Sequence, residues 1–385
     1  MNAVAALAAA GILISLGYYA AASIAAVRFW FRTSAPAAPL PKIAPRVAVL
    51  KPLHGLGKHL LENITSFLES DYPRVEYIFG ITDYEDPAID VPLALKAQYH
   101  LANIALVIGE DANAENPKIA KLIKMTERDS KAEIYVVSDA DIAVEPDYLK
   151  RIVAELGADD DTGLVTCVYR ARPGSGMAAR LEALTINTDF APLVMLSAAI
   201  EPIRYALGAT VAVKRRALEA IGGFHALKDK LADDYFLGQM AACHGFEIKL
   251  SSTIVSTSCE QRSFADFWTH QLRWARTYRT ARKLSLGTIL TQGPFWAILF
   301  ILASRFSPVS IAVFFGVIVV RLGMSALLIW KVLGMRDRLR DIWLVPFKDL
   351  IMTAVWFVSL LSNKVVWGGR ELVVGADGSV REANG

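Results

Sequence analysis

Two acids at i and i+2, Asp139 and Asp141, interrupt the apolar stretch EIYVVSDADIAV just where a strand, IYVVS, should end. On an extended chain that spacing aims both side chains to one side. Two carboxylates held together repel unless a cation or a proton joins them. A hard divalent ion, Mg²⁺ or Mn²⁺, suits such oxygens and keeps positions open for phosphate oxygens of a ligand. Asp159 and Asp161 repeat the spacing in GADDDTG, but their polar, glycine-flanked setting reads as a solvated loop. Asp233 and Asp234 in KLADDYFLG precede a helical stretch. They are either N-capping acids at a helix start or a second pair available for chemistry. At 261–283, QRSFADFWTHQLRWARTYRTARK mixes aromatic and basic residues. It reads as an interfacial helix near anionic lipid, and Arg273 beside Trp274 could also hold a diphosphate and wall off a site.

The elements that position these residues are legible as an α/β pattern. Between 46 and 260, apolar runs of strand length (RVAVLKPL, VEYIFGITD, EIYVVSD, GLVTCVY, GATVAVK) alternate with helical stretches such as HLLENITSFLES and DYLKRIVAELG. That alternation predicts a mainly parallel sheet with ligands at the carboxyl ends of its strands.

The remaining chain reads as membrane. The sequence of 385 residues is 54% hydrophobic, and the excess sits at the two ends. Residues 1–27 carry no charged side chain and are long enough for a ~30 Å hydrocarbon core. Arg28 and Arg32 follow the apolar run, which predicts an uncleaved anchor at 1–32 that enters the cytoplasm at its end. A stiff, Pro-rich linker at 33–45 leads to the α/β domain, 46–260. After the basic aromatic segment 261–283, apolar blocks recur within 284–363, and 364–385 form a tail. The first block is uncharged. The second spans if Arg321 faces another helix or snorkels. The third, about 342–363, holds Lys348 and Asp349 and reads equally as spanning or as re-entrant. Arg336, Arg338 and Arg340 belong on the same side as Arg28. A net charge of +3, with the basic residues near membrane ends, argues against nucleic acid as a partner. Three cysteines without metal spacing read as reduced core residues.

Five motifs in register carry a resemblance: YEDPAIDV at 84–91, NPKIAKL at 116–122, SDADI at 138–142, ADDYF at 232–236 and HQLRW at 270–274, preceded by KPLHG at 51–55. In order and separation they resemble the ceramide glucosyltransferases and their bacterial relatives, including those acting on hopanoid lipids, over essentially the whole chain. The resemblance implies a GT-A nucleotide-sugar transferase domain of α/β class with flanking transmembrane helices. It implies a membrane-bound, inverting hexosyltransferase that moves a sugar from a nucleotide-sugar donor, UDP-glucose, to the hydroxyl of a membrane lipid such as ceramide. UDP-GlcNAc with a hopanoid acceptor is the alternative. A tethered binding protein of the same fold is the non-enzymatic alternative, and a processive polysaccharide synthase would need more helices than this chain offers.

Carried over by position, Asp139 and Asp141 would hold Mg²⁺ or Mn²⁺. Lys51, Asp86, Asn116, Lys118, Arg273 and Trp274 would bind the nucleotide sugar, with Asp86 near the base. Asp234 would be the catalytic base and Asp233 would shape its environment. His270 departs from the family pattern, standing where Gln or Arg is usual. The implied location is a multi-pass protein of a bacterial inner membrane with a cytoplasmic catalytic domain.

Overall fold

The computed structural model describes residues 2–34, 39–40, 43–128, 131–260, 263–367, 370–375 and 377–382. Much of the Pro-rich linker, at 35–38 and 41–42, and the start of the basic segment, at 261–262, therefore lie outside the described residues. The chain divides into two compact units. One comprises residues 33–169 and 201–258, and the other 1–32, 170–200 and 259–385.

The first unit is built on an eight-stranded mixed sheet. In chain order its strands are β1 (Val47–Pro52), β2 (Val75–Ile81), β3 (Asn103–Ile108), β4 (Ile134–Ser138), β5 (Ile142–Ala143), β6 (Thr162–Pro173), β7 (Thr210–Lys214) and β8 (Glu247–Cys259). In space they run β3-β2-β1-β4-β7-β6-β8-β5. β3, β2, β1 and β4 are parallel, so helices must carry the chain across between them. Helices Leu60–Leu68, Asp90–Gln98 and Pro117–Glu127 do so. The parallel strands read as unbroken apolar runs because both faces are covered; all five residues of β4 are buried. Beyond β4 the pairing turns antiparallel, β4 to β7 and β7 to β6.

The order of this sheet places the site. The chain moves outward from β1 to β2 to β3 and then returns to lay β4 on the other side of β1. The β1/β4 boundary is therefore a topological switch point, with a crevice outside its carboxyl ends. Lys51 stands near the end of β1 and Asp139 follows the last residue of β4.

In the second unit, helix Ala3–Thr33 buries a stripe that includes Ala5, Ala8, Ile12, Ser15, Tyr19, Ala22 and Ala26. These positions recur at helical spacing and form one face. Gly11 lies on that stripe because a Cβ there would fall 2.2 Å from the Trp296 ring. Four helices among the described residues are long and apolar enough to cross a membrane: 3–33, 177–200, 308–332 and 336–359. A fifth is added if Ser285–Thr291 and Gly293–Ala303, bent by 60°, make one broken span.

Residues 177–200 are a departure from the sequence expectation, which kept 46–260 as one continuous domain. Their composition hides them, because Arg180, Glu182 and Asp189 interrupt the apolar run. The helix takes a π-helical turn at Ile186–Phe190, and Asp189 on that turn receives both Arg321 and Lys348. Arg321 also forks onto Asp349, at 2.8 and 3.0 Å, while Lys348 lies 2.5 Å from Asp349. Arg321 thus faces other helices and does not snorkel. Lys348 and Asp349, which left the third block undecided, are completely buried as a pair inside a helix of spanning length. Buried charge at such depth is tolerated because it is paired.

Candidate active site

Asp139 begins the turn after β4. Its backbone N–H donates to Ala209 O and its carbonyl accepts from Lys51 Nζ at 2.8 Å. Lys51 is fully buried, with its ammonium 4.0 Å from the Phe67 ring centroid and within reach of Ile142 O. Burial outweighs the pull of Asp141 and Asp139 and lowers its pKa to about 7. Lys51 was expected to bind the donor. In the structure its ammonium instead fastens the acid-bearing turn to the end of β1.

Asn116 is likewise fully buried. It caps helix Pro117–Glu127, accepting from the N–H groups of Lys118 and Ile119, and donates through Nδ2 to Lys230 O at 2.8 Å. A capping Asn followed by Pro at the first helical position is a strong local start signal. Here it also ties that helix to the segment leading to Asp233. The polar atoms of Lys51 and Asn116 thus meet backbone carbonyls of the framework.

Lys118, on the first turn of the same helix, does reach the crevice. Its Nζ lies 2.7 Å from Asp139 Oδ1 and 3.3 Å from Asp233 Oδ2. Burial alone would lower its pKa, but Asp139, Asp233 and Asp234 together raise it, so the side chain is a firmly held cation.

Asp233 and Asp234 occupy the first turn of helix Asp233–Cys243, whose N-cap is Ala232. The acids are therefore not caps, although the helix N-terminus still favours their charge. Burial raises the pKa of both. For Asp233 it overcomes Lys118, and for Asp234, with the added charge of Asp233, it carries the value up to about 7. Gly208, just before β7, explains how closely the two acidic elements approach. A Cβ there would sit 3.1 Å from Asp234 Oδ2 and 3.7 Å from Asp139 Oδ2. Nothing in the sequence singled out Gly208 beyond its place at the head of an apolar strand.

Asp141 accepts from Thr257 Oγ1 at 2.6 Å, which pins its side chain to β8. Loss of water around its carboxyl, then the charge of Asp139, raise its pKa. Lys118 takes one oxygen of Asp139 and Thr257 one of Asp141, so each acid keeps an oxygen that those bonds do not occupy. A hard oxygen donor set of two carboxylates fits Mg²⁺ or Mn²⁺. Another group with ligand spacing, Asp111, Glu127 and His225, lies elsewhere in this unit and largely exposed, as acids often are without an ion.

Asp86 is buried and accepts from the N–H groups of Gly55 and Ala88 and pairs with His54. Burial opposes these bonds, but they prevail and its pKa falls. The carboxylate thus closes the loop after β1. Asp159 accepts from the N–H of Asp161 in an exposed turn, as its composition suggested.

Arg273 and Trp274 belong to the helical unit, on helix Phe264–Ala281, which opens with a Ser263/Asp266 capping box. Buried Glu182 accepts from the neighbouring Gln271 at 2.8 Å and pairs with His270 at 2.7 Å. The Trp274 ring packs at tilted angles of 45–58° against Phe190, His270 and Tyr278. Glu182 escaped the sequence reading because nothing local marks it as the partner of residues almost ninety positions away.

The switch point of the α/β sheet thus gathers Asp139, Asp233 and Asp234 around one held cation, Lys118, and the chain also carries helices of membrane-spanning length. The family model described as glycosyl transferase family 21 matches residues 7–380, and the chain belongs to that family. The chain is similar to ceramide glucosyltransferase 3 of Caenorhabditis elegans, 25% identical over 60% of this chain and 50% of the relative. It is also similar to a ceramide glucosyltransferase of Komagataella phaffii, 27% identical over 35% of this chain and 27% of the relative. It spans about half the length of the nematode relatives it matches. Among solved structures it is similar to a mannosyltransferase from Pyrobaculum calidifontis in complex with GDP-Man and Mn²⁺, at 21% identity and a TM-score of 0.48, covering 88% of this chain and 99% of that one. It is also similar to S. aureus TarS in complex with UDP-GlcNAc, at 12% identity and a TM-score of 0.40, covering 85% and 96%.

Proposed function

We propose that the chain is an inverting GT-A glycosyltransferase of the membrane, moving a hexose from a nucleotide sugar to the hydroxyl of a membrane lipid. The observation that carries this reading is the cluster of Asp139, Lys118, Asp233 and Asp234 at the switch point, where one cation lies among the carboxylates and burial with the charge of Asp233 raises Asp234 to about 7, suited to a base near neutrality.

Asp234 takes the proton from the acceptor hydroxyl as its oxygen attacks the anomeric carbon on the face opposite the departing nucleoside diphosphate. An α-linked donor then yields a β-linked lipid. Asp233 stays close enough to raise the affinity of Asp234 for that proton, and Lys118 keeps the acids from ionising against one another unaided. Asp139 and Asp141 would hold Mg²⁺ or Mn²⁺, which when bound supplies positive charge to the leaving diphosphate. Arg273 offers its planar fork to diphosphate oxygens, and Trp274 lines the acceptor side.

The basic residues Arg28, Arg32, Arg336, Arg338 and Arg340 support a cytoplasmic catalytic domain, and the family resemblance supports a bacterial inner membrane. The donor is read as UDP-glucose and the acceptor as ceramide. The test is mass spectrometry of lipids from a host expressing the chain, fed ceramide or hopanoid and a panel of labelled nucleotide sugars. A β-hexosyl ceramide supports the reading as stated. An N-acetylhexosaminyl hopanoid replaces donor and acceptor but keeps the reaction class. No new glycolipid with any donor removes the transferase reading.

A further inference from the structure

Helix 308–332 ends in a tight turn. Its last stretch, Leu327–Val332, is π-helical, and Gly334 just beyond it takes a left-handed φ of +68°. The N–H of Leu333 then donates to Leu328 O and that of Met335 to Ile329 O, both at 2.8 Å, so the chain folds back on itself. The fold-back lays Arg336 over the Trp330 ring, its guanidinium carbon 5.8 Å from the centroid. The adjacent Lys331 reaches a different helix, with Nζ 4.2 Å from the ring centroid of Trp30, near the end of helix Ala3–Thr33. Two helices of spanning length and the start of a third therefore meet through two cation–π contacts at one end of the helical unit.

The acids beside this junction are already committed. Asp337 pairs with Arg338 at 2.9 Å, and buried Asp341 lies 3.8 Å from Arg180. Lys331, Arg336, Arg340 and Arg28 are exposed, and among the described residues no carboxylate pairs with them. Topology alone requires such charges on one side of a membrane, but not that they converge. Trp330 and Phe31 are 52% and 63% exposed here, as suits rings at headgroup depth.

We propose that this junction binds the phosphate of an anionic membrane phospholipid, with Lys331 and Arg336 donating to its oxygens. An ammonium over a ring face keeps N–H groups directed away from the ring, and a guanidinium has five, so both retain donors for charge-assisted bonds. Phosphatidylcholine carries the same phosphate, but its quaternary ammonium is repelled by these cations, and the ring faces that Lys331 and Arg336 cover are closed to it. The binding stands apart from the transferase reading, since a phosphodiester without a hydroxyl has nothing to receive a sugar.

The full chain in phosphatidylcholine vesicles, without nucleotide sugar, is irradiated with either of two probes sharing one diazirine-bearing acyl chain, phosphatidylmethanol or phosphatidylcholine. Neither head bears a hydroxyl. The anionic probe should label peptides covering 28–32 and 329–338 about five-fold more than the zwitterionic one at equal mole fraction, the scale of one basic residue at an anionic surface. Lys331→Gln with Arg336→Gln should remove most of that preference. Lys96→Gln with Lys131→Gln removes the same charge from exposed positions of the first unit and should leave the preference intact. Equal labelling by both probes in the wild type, a preference untouched by the first double variant, or an equal loss in the second would each overturn the proposal. Inorganic phosphate at millimolar concentration should not compete; if it abolishes labelling, the site takes a free anion and the lipid assignment falls. The wild-type comparison decides it even if a variant fails to fold. Because no sugar is transferred in this assay, its failure is separate from failure of the enzymatic reading.

Discussion

Lys118 Nζ lies 2.7 Å from Asp139 Oδ1, a charge-assisted contact that joins the first turn of one helix to the acid at the end of β4. The same ammonium reaches Asp233. Lys118→Met should therefore leave partly buried carboxylates unmatched, at a cost of about 1–3 kcal/mol. Thermal unfolding should show a lower midpoint, and sugar transfer should fall with it. An unchanged midpoint would mean that the acids do not depend on this cation.

Asp234→Asn keeps shape and hydrogen bonding but removes the base. Turnover should drop about 10²-fold or more, with little change in nucleotide affinity measured by calorimetry. Near-normal turnover, or an α-linked product from the wild type, would take Asp234 out of this role.

The rate should also depend on pH in a definite direction. Asp234 must be ionised to accept a proton, and burial with the charge of Asp233 holds it up to about 7. Transfer should therefore be slow at pH 6 and rise through pH 8, by about ten-fold for a single titration. A rate that is flat or falls between those values contradicts the assignment.

Asp139→Asn should lose turnover by about 10²–10³-fold, the scale of removing one preorganised stabiliser of developing charge. EDTA should abolish wild-type transfer, with Mg²⁺ or Mn²⁺ restoring it. Full activity at a verified zero metal content would exclude the role assigned to this pair.

Arg321→Met should destabilise the helical unit by about 3–5 kcal/mol, since Asp349 and Asp189 would keep buried charge without one of their cations. The double variant Arg321→Met with Asp349→Leu should recover part of that loss. Melting of the detergent-solubilised protein reads both, and a double variant less stable than the single one would argue against a paired charge.

The sequence by itself determined the features that depend on local pattern. Apolar runs of strand length between helical stretches require an α/β sheet, and Asp139 at the end of IYVVS had to emerge at the sheet's carboxyl edge. An uncharged run of 27 residues has the composition and length of a spanning helix wherever it sits. Tertiary structure decided what depends on distant partners. Lys51 and Asn116 looked like ligand residues by motif, yet their polar atoms meet Asp139 O and Lys230 O, contacts that no spacing along the chain encodes. Helix 177–200 was obscured by its own charges, which become acceptable only where Glu182 meets His270 and Gln271, and Asp189 meets Arg321 and Lys348. The cost of burying a charge is set by what surrounds it in space, and that environment exists only after the chain has folded.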